Sequence, residues 1–181
     1  FFITATGALV TSRHVVSSDS LEGLVVMTRD GRLHAVREVL AASEANDLAI
    51  LQVDGDGDVD GHGFSPLPLR DAVAPGTPIL VLSHPENNFY SVSTGLASRY
   101  LERSRDGAAY LAITADFAKG SSGAPVFTER GEVVGVVNST RTIYAVETPQ
   151  AKSDPQMVIK LCNPASAIRS LIDTEDKPRG S

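Results

Sequence analysis

Short segments rich in Val, Ile and Leu recur along the chain, with turn-forming residues between them. This spacing is typical of short β-strands, and we predict a strand in each segment. The segments are GALVTS, GLVVMT, RLHAVREVLAA, LAILQVD, PILVLS, SVSTGLASRYL, AYLAITAD, APVFTE, EVVGVVNST, IYAVET and QMVIKLC. The pairs Asp30-Gly31 and Arg130-Gly131 suit the tight turns of β-hairpins. Many short strands of this kind predict an all-β sandwich or barrel.

A single helix is predicted, near the end of the chain. The apolar residues of PASAIRSLI fall on one helical face; they are Ala165, Ile168, Leu171 and Ile172. Asn163 is placed to cap this helix, with Pro164 at its first position. Residues 173–181 are polar and charged, and we expect them to form a tail.

The regular succession of strands stops between residues 53 and 76. This segment is rich in Gly, Asp and Pro, and it has no periodic pattern of apolar residues. Such composition is typical of a connection that runs over the surface of a protein. We therefore expect a linker there, between two β halves of the chain.

Composition narrows the classes of function. The chain has 181 residues, of which 42% are apolar and 21% charged, as in an ordinary globular domain. Its net charge of -6 argues against a nucleic-acid partner, because phosphate binding needs a basic face. No apolar run approaches the roughly 20 residues that cross a bilayer, so we expect no membrane span. The single cysteine, Cys162, cannot form a disulfide within the chain.

The first residues give little evidence on targeting. The segment FFITATGALVTSRHVV has no basic stretch followed by a long apolar one, so it is not a signal peptide. It resembles the later part of a β-strand whose first residues are missing, and we expect the natural protein to have a further N-terminal portion.

The sequence gives no indication of a metal or another cofactor. His34, His62 and His84 have no ligand spacing with one another or with Cys162. Residues 56–61, DGDVDG, match the opening of a calcium loop, but Leu67 stands where such a loop has Glu. An acidic linker is the better interpretation of this segment.

Three residues in chain order have the chemistry of nucleophilic catalysis. His14 follows a predicted strand, Asp47 begins another, and Ser122 lies in the glycine-rich turn KGSSGAP. A serine hydroxyl needs an imidazole to take its proton and a carboxylate to orient that imidazole. It also needs backbone N–H donors for the oxyanion, and the glycines of GSSG let the N–H groups of Gly120 and Ser122 converge. Considered alone, the serine segment is more typical of a tight turn between two strands; His14 and Asp47 upstream favour the catalytic interpretation.

The motifs around these residues resemble the trypsin-like (chymotrypsin-fold) serine proteases. TSRHVV is similar to the T-x-x-H-V-V element of the disulfide-free bacterial HtrA/Deg branch. NDLAILQV resembles its D-L-A-hydrophobic element, and KGSSGAPVF its G-x-S-G-x-P-hydrophobic element. All three occur in the family order, and the resemblance covers roughly residues 7–172.

The resemblance implies a fold of two antiparallel β-barrels with a C-terminal helix, the first barrel incomplete in this sequence. The implied division is 1–60 for the first barrel, 61–72 for the linker, 73–172 for the second barrel with the helix, and 173–181 for the tail. His14 would be the general base, Asp47 its orienting partner and Ser122 the nucleophile. The amides of Gly120 and Ser122 would form the oxyanion hole.

The same resemblance assigns residues to substrate binding. GVVNST is similar to the strand that pairs with extended substrates, so Asn138, Ser139 and Thr140 would line the cleft. Asp116 stands where the floor of the specificity pocket is expected, and a buried carboxylate there would favour Arg or Lys. Lys119, near the rim, would counter that preference or pair with Asp116. A solvated aspartate in a loop of different path is the alternative.

Two residues depart from the family pattern. Ser121 stands where Asp or Asn is usual, which argues against activation by a newly cut N-terminus. Ala124 replaces the commoner second glycine, a mild change.

The predicted function is a serine endopeptidase acting through an acyl-enzyme at Ser122. Its partners would be polypeptide substrates, including unfolded proteins, and a homo-oligomer is compatible with the family. Periplasmic or secreted localisation follows from the resemblance alone. The alternatives are a protease-like module with lost or latent activity that binds peptides, and an esterase that uses the same triad.

Overall fold

The computed structural model of the protein describes residues 1–16, 21–55, 63–102, 109–148 and 151–175. Its strands are β1 Ala8–Ser12, β2 Val25–Met27, β3 Leu33–Ser43, β4 Leu48–Val53, β5 Pro78–Ser83, β6 Ser91–Glu102, β7 Ala109–Ile113, β8 Pro125–Thr128, β9 Val133–Glu147 and β10 Lys152–Pro164. One α-helix, α1, spans Ala165–Glu175, and short 3₁₀ turns span Arg13–Val16 and Pro85–Asn87. The calcium-loop alternative, His62 and parts of the predicted linker and tail lie outside the described residues.

The strands form two curled sheets. The first is a half-barrel of four strands in the order β1-β4-β3-β2, and every paired neighbour is antiparallel. The second is a closed six-stranded barrel in the order β10-β7-β6-β5-β8-β9. The predicted chymotrypsin-like fold is thus confirmed, with the first barrel incomplete and one helix at the end of the chain. The finer domain boundaries stay a prediction.

The two sheets share an apolar contact that the C-terminal helix covers. Leu48 and Ile50 of the first sheet pack in one cluster with Val136 of the barrel and Ile168 of α1. All four side chains are buried. Removing this apolar area from water holds the half-barrel against the closed barrel, which fixes the groups that each sheet contributes to the space between them.

The start of the helix differs from the prediction. The helix begins at Ala165, and the buried Asn163 does not cap it, because its Oδ1 has no hydrogen-bond partner among the described residues. The Asn163 amide nitrogen donates instead to the Asn46 carbonyl at 2.6 Å. The residue that looked like a local cap is therefore a long-range tie to the turn before β4.

Two of the predicted strands are one. EVVGVVNST and IYAVET join in the 15-residue strand β9, which pairs with β10 over nearly its whole length. Most side chains beyond Val137 are exposed, so the polar residues between the two predicted segments face solvent and do not mark a turn. Among the described residues, no helix has the length and apolar character to cross a membrane.

Candidate active site

His14 and Asp47 meet where β1 and β4 lie side by side. These strands are antiparallel, with Ser12 opposite Leu48, so the end of β1 reaches the start of β4. The His14 Nδ1 lies 2.6 Å from Asp47 Oδ2, and the His14 backbone N–H donates to Asp47 Oδ1 at 2.9 Å. The carboxylate therefore bonds both the imidazole ring and the backbone of the same histidine, which fixes the position and tilt of the ring.

The backbone of Asp47 is held as firmly as its side chain. Its φ of +48° lies in the left-handed region, which Asp tolerates better than most residues. Its N–H donates to the Glu44 carbonyl at 3.1 Å, and its own carbonyl accepts from the Arg13 N–H at 3.0 Å. Side-chain exposure is 31% for Asp47 and 54% for His14, so the pair sits at an open surface that a ligand can reach.

The Ser122 segment is a series of tight turns between β7 and β8. The Ser121 N–H donates to the Ala118 carbonyl at 3.1 Å, and the Ala124 N–H donates to the Ser121 carbonyl at 3.0 Å. The Gly123 N–H then donates to the carbonyl of Val137 on β9 at 3.1 Å. These bonds fix the backbone on both sides of Ser122.

Gly123 brings this segment against the first sheet. Its φ is +82°, and a Cβ placed on it would lie 3.0 Å from the Ser12 nitrogen and 3.1 Å from the Thr11 Cα. Only glycine permits so close an approach of two backbones. The neighbour of Ser122 therefore touches β1 two residues before His14, so the structure brings the serine segment and the His14–Asp47 pair together.

The backbone N–H groups of Gly120 and Ser122, on either side of Ser121, are the candidate donors for an oxyanion. Neither the Gly120 nor the Ser122 N–H has a hydrogen-bond acceptor within the described residues. The carbonyl before Gly120, that of Lys119, accepts from the Glu86 N–H at 3.0 Å. Because N–H and C=O point in opposite directions across a trans peptide, this bond turns the Gly120 N–H away from Glu86. The role of Glu86 was not predicted from the sequence; this residue lies in the short 3₁₀ turn Pro85–Asn87 after β5.

One cavity of about 220 Å³ adjoins the serine. It brings together most of the residues predicted to bind substrate. Its lining consists of Phe117, Ala118, Lys119, Ser122, Val137, Asn138, Ser139 and Thr140. Asp116 is not among these lining residues.

Asp116 instead faces solvent beside a lysine that the sequence interpretation did not single out. Its side chain is 90% exposed, and Oδ1 lies 3.5 Å from Lys160 Nζ. The predicted alternative partner was Lys119, but the ion pair is formed with Lys160 of β10. The sequence contains a feature that could have indicated this contact: Lys160 lies within the apolar segment QMVIKLC. It is two residues from the buried Cys162, so the two side chains lie on the same side of the strand.

Comparison with known proteins agrees with this geometry. Residues 1–136 match the family described as "Trypsin-like peptidase domain". A probable periplasmic serine endoprotease, DegP-like, of Rhizobium meliloti is 31% identical over 96% of this chain and 32% of its own length. The putative serine protease HhoA of Synechocystis is 28% identical over 84% of this chain and 40% of its own length. The chain thus spans less than half of either relative.

Solved structures show the same fold. An HtrA-type protease, AlgW, determined with a decapeptide, superposes with a TM-score of 0.69 at 20% identity, over 96% of this chain and 51% of the other. A variant of that protease with a tripeptide gives a TM-score of 0.72, with 96% and 53% covered. The relatives named DegP-like and HhoA confirm the resemblance to the HtrA/Deg branch, and the solved structures confirm the fold. Because the matched family region spans three quarters of the sequence and includes His14, Asp47 and Ser122, the chain belongs to the trypsin-like peptidase domain family.

Proposed function

We propose that this protein is a serine endopeptidase in which Ser122 attacks the peptide carbonyl. The observation that carries the proposal is the 2.6 Å bond between His14 and Asp47 beside the Ser122 segment. Family membership and relatives named as serine endoproteases support the same reaction.

The proton transfers follow from the roles of the three side chains. The carboxylate of Asp47 accepts the His14 Nδ1–H, so Nε2 takes the proton from the Ser122 hydroxyl as its oxygen bonds to the carbonyl carbon. The protonated imidazole then gives this proton to the leaving amine, and the C–N bond breaks to leave an acyl-enzyme. A water molecule then attacks the acyl carbon while His14 takes its proton. His14 returns this proton to the Ser122 oxygen as the ester bond breaks, which releases the carboxylic acid. Asp47 stabilises the imidazolium and remains ionised throughout.

The oxyanion of each tetrahedral intermediate needs preorganised donors. The Gly120 and Ser122 N–H groups suit this role, since neither has an acceptor within the described part of the chain. In other enzymes the loss of one such donor costs about 3–4 kcal/mol of transition-state stabilisation. The bond from Glu86 to the Lys119 carbonyl supports the assignment, because it holds that carbonyl away from the side on which the oxyanion forms.

The substrate would be an extended polypeptide bound along β9. β8 pairs with β9 only as far as Val136, and among the described residues no strand pairs with that side of Asn138, Ser139 and Thr140. An unpaired strand edge next to the nucleophile can add a substrate strand through backbone hydrogen bonds. The AlgW structures were determined with peptides, which supports a peptide ligand here. Since several relatives are named periplasmic, we propose periplasmic or secreted localisation.

Digestion of casein tests the proposal with a matched pair of variants. Ser122→Ala should abolish cleavage. Ser121→Ala, one residue earlier, should retain it, because the Ser121 hydroxyl has no hydrogen-bond partner in the part of the chain that the structure describes. Fragments are followed by mass spectrometry at equal, folded protein concentration. Equal cleavage by Ser122→Ala would exclude Ser122 as the nucleophile. Binding of casein without cleavage by the unmodified protein would favour the peptide-binding module, and hydrolysis of esters alone would favour an esterase.

A further inference from the structure

Lys160 places a largely buried ammonium group behind the wall of the cavity beside Ser122. Its side chain is only 16% exposed. Nζ donates to the carbonyl of Phe117 at 2.7 Å and lies 5.2 Å from the centre of the Phe117 ring. Phe117 lines the cavity. One residue therefore separates the ammonium group from the space next to the nucleophile.

The strand register aims Lys160 toward the same space. It pairs directly with Thr140 of β9, and directly paired side chains lie on the same face of a sheet. Thr140 lines the cavity. Two residues further along β10, on the same side of the strand, Cys162 is buried in the core of the barrel. Lys160 thus lies at the rim of the barrel, between its core and the cavity.

The balance of charge around the cavity is positive. Lys119 is one of the lining residues, and Lys160 lies directly behind the lining, against Phe117. The carboxylate facing Lys160 is that of Asp116, which is 90% exposed and 3.5 Å from Nζ. Water screens an exposed carboxylate far more than a buried ammonium, so Asp116 offsets the field of Lys160 only in part.

We propose that this cavity selects an acidic side chain, Glu or Asp, in the substrate residue that precedes the scissile bond. Lys160 is the specificity-determining residue, and Lys119 supports it from the rim. The proposal rests on the proposed function, because it takes Ser122 as the point of attack. It also predicts that Asp116 does not favour Arg or Lys in this position, because the buried cation beside it would repel a second cation.

Fluorogenic peptides that differ only in this one residue test the proposal. Glu, its uncharged isostere Gln, and Arg are compared by kcat/KM. Attraction between the substrate carboxylate and the poorly screened ammonium group behind Phe117 predicts that Glu exceeds Gln by about tenfold or more, with Arg the poorest. Lys160→Met should bring the ratio of Glu to Gln close to one. Asp116→Asn should raise the ratio, because it removes the carboxylate that competes for Lys160.

Two controls separate specificity from folding and from the proposed function. Lys160→Gln keeps a donor for the Phe117 carbonyl, so a collapsed ratio in this variant reflects lost charge rather than lost structure. Rapid reaction of Ser122 with a fluorophosphonate would support the proposed function. If such a protein cleaves Glu and Gln peptides equally, or prefers Arg, the inference about Lys160 is overturned and the proposed function is not. If Ser122 does not react, the binding of peptides ending in Glu or Gln to Ser122→Ala decides. Tighter binding of Glu that Lys160→Gln removes supports the inference, and equal binding overturns it.

Discussion

Replacing Gly123 by alanine should separate the serine segment from the first sheet. The Thr11 hydroxyl, 2.7 Å from the new Cβ, can rotate away, but the Ser12 nitrogen and Thr11 Cα at 3.0 and 3.1 Å belong to the backbone. The segment must therefore shift by a few tenths of an ångström. Alanine in the left-handed region costs about 1–2 kcal/mol, and overpacking adds about 1–3 kcal/mol. The expected total of about 2–5 kcal/mol is a large part of the stability of a typical domain.

Gly131 supplies the matched control for this variant. Its φ of +77° is close to the +82° of Gly123, but a Cβ there would meet nothing within 4 Å. Gly131→Ala should therefore lose only the conformational part, about 1–2 kcal/mol. Urea unfolding gives both free energies, and the rate of fluorophosphonate reaction reports the position of Ser122. We expect Gly123→Ala to react at least about tenfold more slowly, since small misplacements of a nucleophile are costly. Equal stability and equal reactivity of the two variants would refute the argument.

Three further changes test other parts of the account. Asp47→Asn should lower kcat on a peptide substrate by about 10³–10⁴-fold, because the amide fails to stabilise the imidazolium of His14. Asn tolerates the left-handed backbone conformation of this position, so circular dichroism should show an unchanged fold. Asn163→Ala removes the bond to the Asn46 carbonyl and should lower the free energy of urea unfolding by about 1–3 kcal/mol. Burial raises the pKa of the Cys162 thiol, so iodoacetamide should label it only after denaturation, and rapid labelling of the native protein would contradict the buried position.

Local sequence was sufficient to predict the fold and to locate the candidate catalytic residues, whose roles stay a proposal. His14, Asp47 and Ser122 each lie in a short motif whose neighbours build the required backbone, such as the turn that ends β1 and the glycine beside Ser122. Such motifs act over a few residues, so they can be read directly from the chain. Short segments rich in Val, Ile and Leu, separated by turn-forming residues, similarly located the strands of both sheets.

Contacts between distant residues could not be predicted in the same way. Asn163 looked like a helix cap, because its partner Asn46 belongs to another sheet. The ion pair of Asp116 with Lys160 depends on the closure of the barrel, which brings β10 next to the segment after β7. The polar face of the long hairpin β9–β10 interrupted the apolar pattern and divided one strand into two. In each case the tertiary fold supplied a neighbour that the local sequence does not reveal.

The central claim is that His14 activates Ser122, and the site of a fluorophosphonate adduct tests it most directly. The protein is treated with the probe, digested, and mapped by mass spectrometry, beside His14→Ala at the same concentration. One adduct is expected, on Ser122, and its rate of formation should fall by orders of magnitude in His14→Ala. An adduct on any other residue, or reaction of His14→Ala at the unmodified rate, would contradict it.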